Sequence, residues 1–93
     1  MRLRPEVRRF AEAMEAKLRQ HDKARGDSWE HSSFPWLEGR LRHEMKEFRH
    51  ALRERSYGDL DDLKRVRCEA ADVGNFLMFI VEVLGQQSAR ANP

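Results

Sequence analysis

Glu44 and Glu47 lie three residues apart, as do Glu69 and Asp72, and 21 residues separate the two pairs. On a helix an i, i+3 offset brings two side chains onto one face, about 5–6 Å apart. Two such pairs on facing helices make a nest of oxygen donors, which suits a hard divalent cation, Mg²⁺ or Mn²⁺. The usual client of such a cation is a polyphosphate. Other metal chemistry finds little support. His43 opens no zinc-protease helix, because position 47 is Glu where a second His is needed. No two of His21, His31, His43 and His50 lie four residues apart, and Cys68 is the only cysteine, so neither an internal disulfide nor a thiolate cluster can form.

The acids also intrude on apolar faces. With Leu37 as zero and about 100° per residue, Leu41, Met45, Phe48 and Leu52 fall between about 20° and 80°. Glu44 falls inside that arc, near about −20°, and Glu47 at its edge, near about −80°. Arg42, Lys46, Arg49 and Arg53 take the opposite side. On a wheel starting at Leu63, Val66, Ala70, Val73, Leu77, Ile80 and Leu84 spread over about −20° to −100°. Glu69 falls near about −120° and Asp72 near 180°, flanked by Phe76, Phe79 and Val83. A carboxylate in such surroundings costs several kcal/mol unless it is paired, protonated or bound to a cation. Two explanations stand side by side: a shared metal site, or salt bridges from Arg40 to Glu44 and from Arg65 to Glu69, each four residues earlier.

Three helices are predicted to position these groups. The first starts at Pro5, a residue suited to a first helical turn, and carries Val7, Phe10, Ala11, Met14 and Leu18 as one stripe before running out near residues 21–25. Residues 26–33 read as a loop, with Ser32 or Ser33 as N-cap of a second helix that continues to about Arg55. Ser56-Tyr57-Gly58 breaks the chain, and Asp59 caps a third helix with Asp61 and Asp62 in its first turn, where the helix dipole favours them. Gly85 reads as the natural stop of that helix near Leu84, leaving 86–93 as a loose polar tail.

The expected class is therefore all-α, in a single domain spanning 1–93 with its core between about 5 and 85. With 93 residues, 37% charged and 40% hydrophobic, the chain is short for a self-sufficient core. The second half of the third helix is apolar almost all round, so Phe76, Met78, Phe79 and Ile80 read as core or subunit interface. Three helices per chain would then complete a helical bundle by homo-oligomerisation. A net charge of +2, with acids and bases interspersed, makes nucleic acid an unlikely partner; only Arg2, Arg4, Arg8 and Arg9 offer a short basic stripe. The longest apolar run, 76–81, is far too short to span a membrane, and no apolar stretch follows the basic start. A reducing cytoplasm is the simplest expected compartment for a chain with one thiol. Cys68 itself reads as a buried small residue.

With these residues in view, the chain resembles the MazG-like all-α nucleoside triphosphate pyrophosphohydrolases, in the short form common in phages and mobile elements. The resemblance rests on Glu44-Met45-Lys46-Glu47 and Glu69-Ala70-Ala71-Asp72, with the continuation Val73-Gly74-Asn75-Phe76-Leu77-Met78. The stretch from His21 to Trp29 is similar to the basic, glycine- and tryptophan-bearing link between the first two helices of that family. The likeness covers roughly Val7 to Leu84. It implies Mg²⁺ (Mn²⁺ as a substitute) held by Glu44, Glu47, Glu69 and Asp72, cleavage of a nucleoside triphosphate to monophosphate and pyrophosphate, and a homodimer or dimer of dimers. Glu47, at the edge of its arc, is then the candidate that also orients the attacking water.

Four more residues become candidates for substrate binding: Lys23 and Arg25 toward phosphates, Trp29 toward a base, and Asn75 toward sugar or base. Each has a plainer role open to it: solvated loop charge for the two cations, a core cap for Trp29, a helix–helix hydrogen bond for Asn75. Trp36, off the main stripe, reads as packing. The competing reading of the whole chain is a non-catalytic helical dimerisation or regulatory module, which accounts for the wide apolar surface of the third helix but not for acids set within apolar faces.

Overall fold

A computed structural model describes residues 1–25, 32–56 and 58–91, and the side chains of these except at 23–25 and 90–91. Three helices make up the described fold: α1 (Pro5–Arg25), α2 (Phe34–Glu54) and α3 (Leu60–Ala91). No strand occurs among the described residues.

Local chemistry sets the helix ends. Ser33 adopts an extended backbone and its Oγ accepts a hydrogen bond from the Trp36 amide at 3.3 Å, capping α2. Asp59 Oδ1 accepts from the amides of Asp61 and Asp62 at 2.8 and 3.2 Å, capping α3. Between the two, Gly58 has a φ of 81°, a left-handed conformation that an L side chain resists. The α2–α3 corner is closed further by Arg65, whose Nη1 lies 2.7 Å from Glu54 Oε2, while His50, one turn earlier on α2 itself, places Nε2 2.7 Å from Glu54 Oε1.

α3 packs against both other helices. Leu37 of α2 meets Phe79 and Val83 of α3 in a small core, with Leu18 of α1 and Phe76, Met78 and Ile80 of α3 against it. Leu37 pairs with Phe79 in that core while Glu54, later on α2, reaches Arg65, earlier on α3, so α2 and α3 run antiparallel. Glu44 and Asp72 each lie seven residues, two turns, from the core pair Leu37 and Phe79, and in the same direction. The small core thus fixes the register of the acids. On the α1 side, Gly74 allows close approach: a Cβ there would meet the Phe10 ring at 3.0 Å and Met14 Sδ at 3.4 Å.

Two expectations fail. Gly85 does not stop α3, which continues to Ala91. A glycine stop requires a positive φ, which Gly85 does not adopt, and the following Gln, Ser, Ala and Arg residues sustain a helix. Residues 86–91 are accordingly helical, and those with described side chains, 86–89, are exposed. Cys68 is exposed where a buried position was expected, although it lies three residues before Ala71 and seven before Asn75, on the line of α3 that is buried further along the helix. Other apolar surface is also uncovered. Leu77, Val81 and Leu84, at i, i+4 and i+7 on α3, are 50%, 66% and 45% exposed, and Val7 and Phe10 of α1 are a little under half exposed. No helix among the described residues is long and apolar enough to cross a membrane.

Candidate metal centre

Glu44 comes from the middle of α2, where the apolar arc carries it inward; it is one of two buried polar residues among those described, the other being Asn75. Glu69 and Asp72 come from one face of α3 and are part-buried. Carboxylate oxygens of Glu44, Glu69 and Asp72 all lie within 4.8 Å of one another. Two oxygens on one Mg²⁺ at about 2.1 Å sit about 3 Å apart when adjacent and about 4.2 Å when opposite. The observed spacing therefore needs only a small closure to become a facial set of three oxygen ligands.

Glu47, the fourth expected ligand, stands apart from this trio. Its side chain is 44% exposed, with His43 Nε2 at 4.0 Å. Its charge nevertheless reaches the trio, because it is among the groups that raise the Glu69 pKa. The run Glu47-Phe48-Arg49-His50 also carries Glu-x-x-His spacing, but His50 turns to Glu54 instead.

Two cations flank the trio. Arg40 Nη2 donates to Glu44 Oε1 at 2.8 Å, and the same guanidinium stands 5.8 Å over the Phe76 ring. Lys17 of α1 places Nζ 3.4 Å from Asp72 Oδ2, both side chains being 19% exposed. Of the salt bridges open from sequence, the one from Arg40 to Glu44 forms, whereas Arg65 pairs with Glu54 rather than Glu69. Glu69 is thus the member with no ion pair among those described. Its carboxyl is pushed above the ordinary glutamate range, first by burial, then by the negative charges of Asp72 and Glu44; Lys17 works against the shift and Glu47 adds to it. The ordering is physically coherent: three carboxylates against two cations leave one negative charge in excess, and the proton is drawn to the acid without a partner.

The other candidates are placed unevenly. Asn75 Nδ2 donates to the Met14 carbonyl at 3.1 Å, a helix–helix hydrogen bond, while its Oδ1 is buried with no partner among the described residues. Trp36 lies at the surface, its ring 6.5 Å from Phe76. The side chains of Lys23 and Arg25, and all of Trp29, lie outside the described residues.

Compared with protein-family models, curated proteins and solved structures, the chain matches none.

The acids themselves therefore carry the functional reading. Sequence reasoning missed Lys17. The signal for it existed: on the α1 wheel with Val7 as zero, Lys17 falls at about −80°, the edge of the apolar stripe, as Glu47 does on α2. A cation at such an edge, facing a helix with embedded acids, is a natural counter-ion.

Proposed function

We propose that this chain is a Mg²⁺-dependent pyrophosphohydrolase of nucleoside triphosphates, acting as a homodimer or dimer of dimers. The convergence of three carboxylates from two helices within 4.8 Å carries the reading. It is supported by a third acid that is raised in pKa and has no ion pair among the described residues. A carboxylate in that state gains most from a divalent cation, which replaces repulsion from Asp72 and Glu44 by attraction to a shared centre.

Glu44, Glu69 and Asp72 would hold the ion. Bound there, Mg²⁺ supplies charge neutralisation for the triphosphate and for the departing pyrophosphate. Arg40, fixed by Glu44 and the face of Phe76, keeps one oxygen of Glu44 engaged and so orients the other. Glu47, exposed and close enough to influence Glu69, has the freedom to take a proton from a water attacking the α-phosphorus as the bond to the bridging oxygen breaks. The products are a nucleoside monophosphate and pyrophosphate. Lys23, Arg25 and Trp29 are assigned to the substrate, phosphates for the first two and the base for the third, and the free Oδ1 of Asn75 is an acceptor for a sugar or base donor. Self-association is supported by the exposed Leu77-Val81-Leu84 stripe, since exposed apolar surface of this kind marks contact sites.

That same stripe favours a second reading, a non-catalytic dimerisation or regulatory module. One experiment separates the two. The protein is incubated with a panel of ribo- and deoxyribonucleoside triphosphates and Mg²⁺, and phosphorus products are resolved. Monophosphate with pyrophosphate is expected. A diphosphate with orthophosphate would contradict the bond assigned to cleavage, and no turnover of any nucleotide would favour the module.

A further inference from the structure

Lys17 and Arg40 both pair with acids of the trio, but they do so differently. Arg40 makes a 2.8 Å hydrogen bond and is stacked over Phe76 at 5.8 Å, with its Nε buried. Its planar group is held on two sides, so moving it would forfeit both contacts. Lys17 makes a single 3.4 Å ion pair from a flexible four-carbon stem, with no ring among the described residues stacked against its ammonium. Lys17 also approaches from α1, whereas all three acids belong to α2 and α3. It therefore reaches the trio from a third helix, one that supplies none of the acids.

Charge balance limits how the site can respond to an entering ion. Three carboxylates and two cations carry a net −1, and a divalent ion brings this to +1. With an ion on Asp72, the ion and Lys17 repel across one carboxylate, and Lys17, unlike Arg40, has no second contact among the described residues that holds it in place. We infer that Lys17 leaves Asp72 on metal loading and becomes a phosphate-binding group of the loaded site, while Arg40 stays on Glu44 as a fixed strut. The ligand class is a polyphosphate, a nucleoside triphosphate or its inorganic counterpart, tripolyphosphate. This role rests on the proposed metal site and adds to it a residue from the third helix of the fold. It makes α1 part of the binding machinery, and Lys17 a counter-ion in the empty site and a ligand in the filled one.

The test uses the full chain, Mn²⁺ as the ion and tripolyphosphate as the probe, with no need for turnover. Mn²⁺ binding is followed by electron paramagnetic resonance, and tripolyphosphate binding to the Mn²⁺-loaded protein by calorimetry. Lys17→Met is expected to bind Mn²⁺ as tightly as the native protein or more tightly, and to lose at least tenfold in tripolyphosphate affinity. Lys17→Arg, which keeps the charge, should stay within about threefold for both and guards against a folding defect. Arg40→Met should weaken Mn²⁺ binding itself. Mn²⁺ binding with a tripolyphosphate affinity unchanged by Lys17→Met would overturn the role of Lys17 alone. Loss of Mn²⁺ binding in both Lys17 variants would overturn it too, by showing Lys17 to be a structural member of the ion site. A native protein that binds no Mn²⁺ would overturn the metal reading, and this inference with it.

Discussion

Replacing Glu69 by Gln should do opposite things to stability with and without metal. In the metal-free protein Glu69 faces Asp72 and Glu44 with oxygens within 4.8 Å. At that separation two unit charges repel by about 0.9 kcal/mol in water and about 3.5 kcal/mol at an effective dielectric constant of 20. Glu69 is part-buried and Lys17 offsets part of the repulsion, so a net relief of about 1–2 kcal/mol is expected from Glu69→Gln at neutral pH. For a domain of this size that corresponds to a rise in Tm of roughly 4–16 °C.

The pH dependence has a defined sign. The folded-state pKa of Glu69 is raised, so the folded protein holds this proton more tightly than the unfolded chain does. As pH climbs from the ordinary glutamate range through the raised value, the metal-free native protein loses stability, and Glu69→Gln should lack that decline. With metal the order reverses. At a free ion concentration ten times Kd, binding stabilises the native protein by about 1.4 kcal/mol, about 6–11 °C in Tm, and Glu69→Gln should lose most of this gain. Thermal melts followed by circular dichroism, in chelator and in an Mg²⁺ or Mn²⁺ titration, read both arms. A Glu69→Gln protein that is less stable in chelator, or that keeps the full gain with metal, would refute the reasoning.

Other perturbations have equally definite outcomes. Gly74→Ala should stay within about 1 kcal/mol of the native protein in urea melts, because the helix-propensity gain is set against a Phe10 ring that can swing outward, whereas Gly74→Leu should lose at least about 2 kcal/mol by forcing α1 off α3. Val81→Glu, in the middle of the exposed α3 stripe, should shift the protein to a smaller species in analytical ultracentrifugation without lowering its helix content. The Glu54 carboxyl is held below its ordinary range, chiefly by the hydrogen bond from Arg65 and then by the charge of His50. Arg65→Gln should therefore move its carbon-13 NMR titration midpoint upward, and the small stability it contributes at neutral pH, which disappears as pH falls through the lowered value, should shrink.

Much of this was legible in the residues because helix periodicity is local. The inward position of Glu44, the Ser33 and Asp59 caps and the Gly58 break all come from spacing and from the conformational preferences of single residues. What was not legible depends on which helix lies across from which. Arg65 has Glu69 one turn ahead on its own helix, yet it pairs with Glu54 because the α2–α3 corner brings that acid alongside. Lys17 carries no meaning on α1 alone and acquires one only when α1 crosses α3 at Asp72. The Gly85 stop failed for a different reason: a glycine permits a left-handed turn without imposing one.

The exposed thiol of Cys68, one residue before Glu69 and the only one in the chain, makes the molecule ready for labelling as it stands. A nitroxide attached there would sit one residue from Glu69, close enough for Mn²⁺ held by the acids to broaden its spectrum. In an assembly each copy would carry a single spin. The number and lengths of the spin–spin distances would then count the copies and report their symmetry, with no engineered cysteine to disturb the helices.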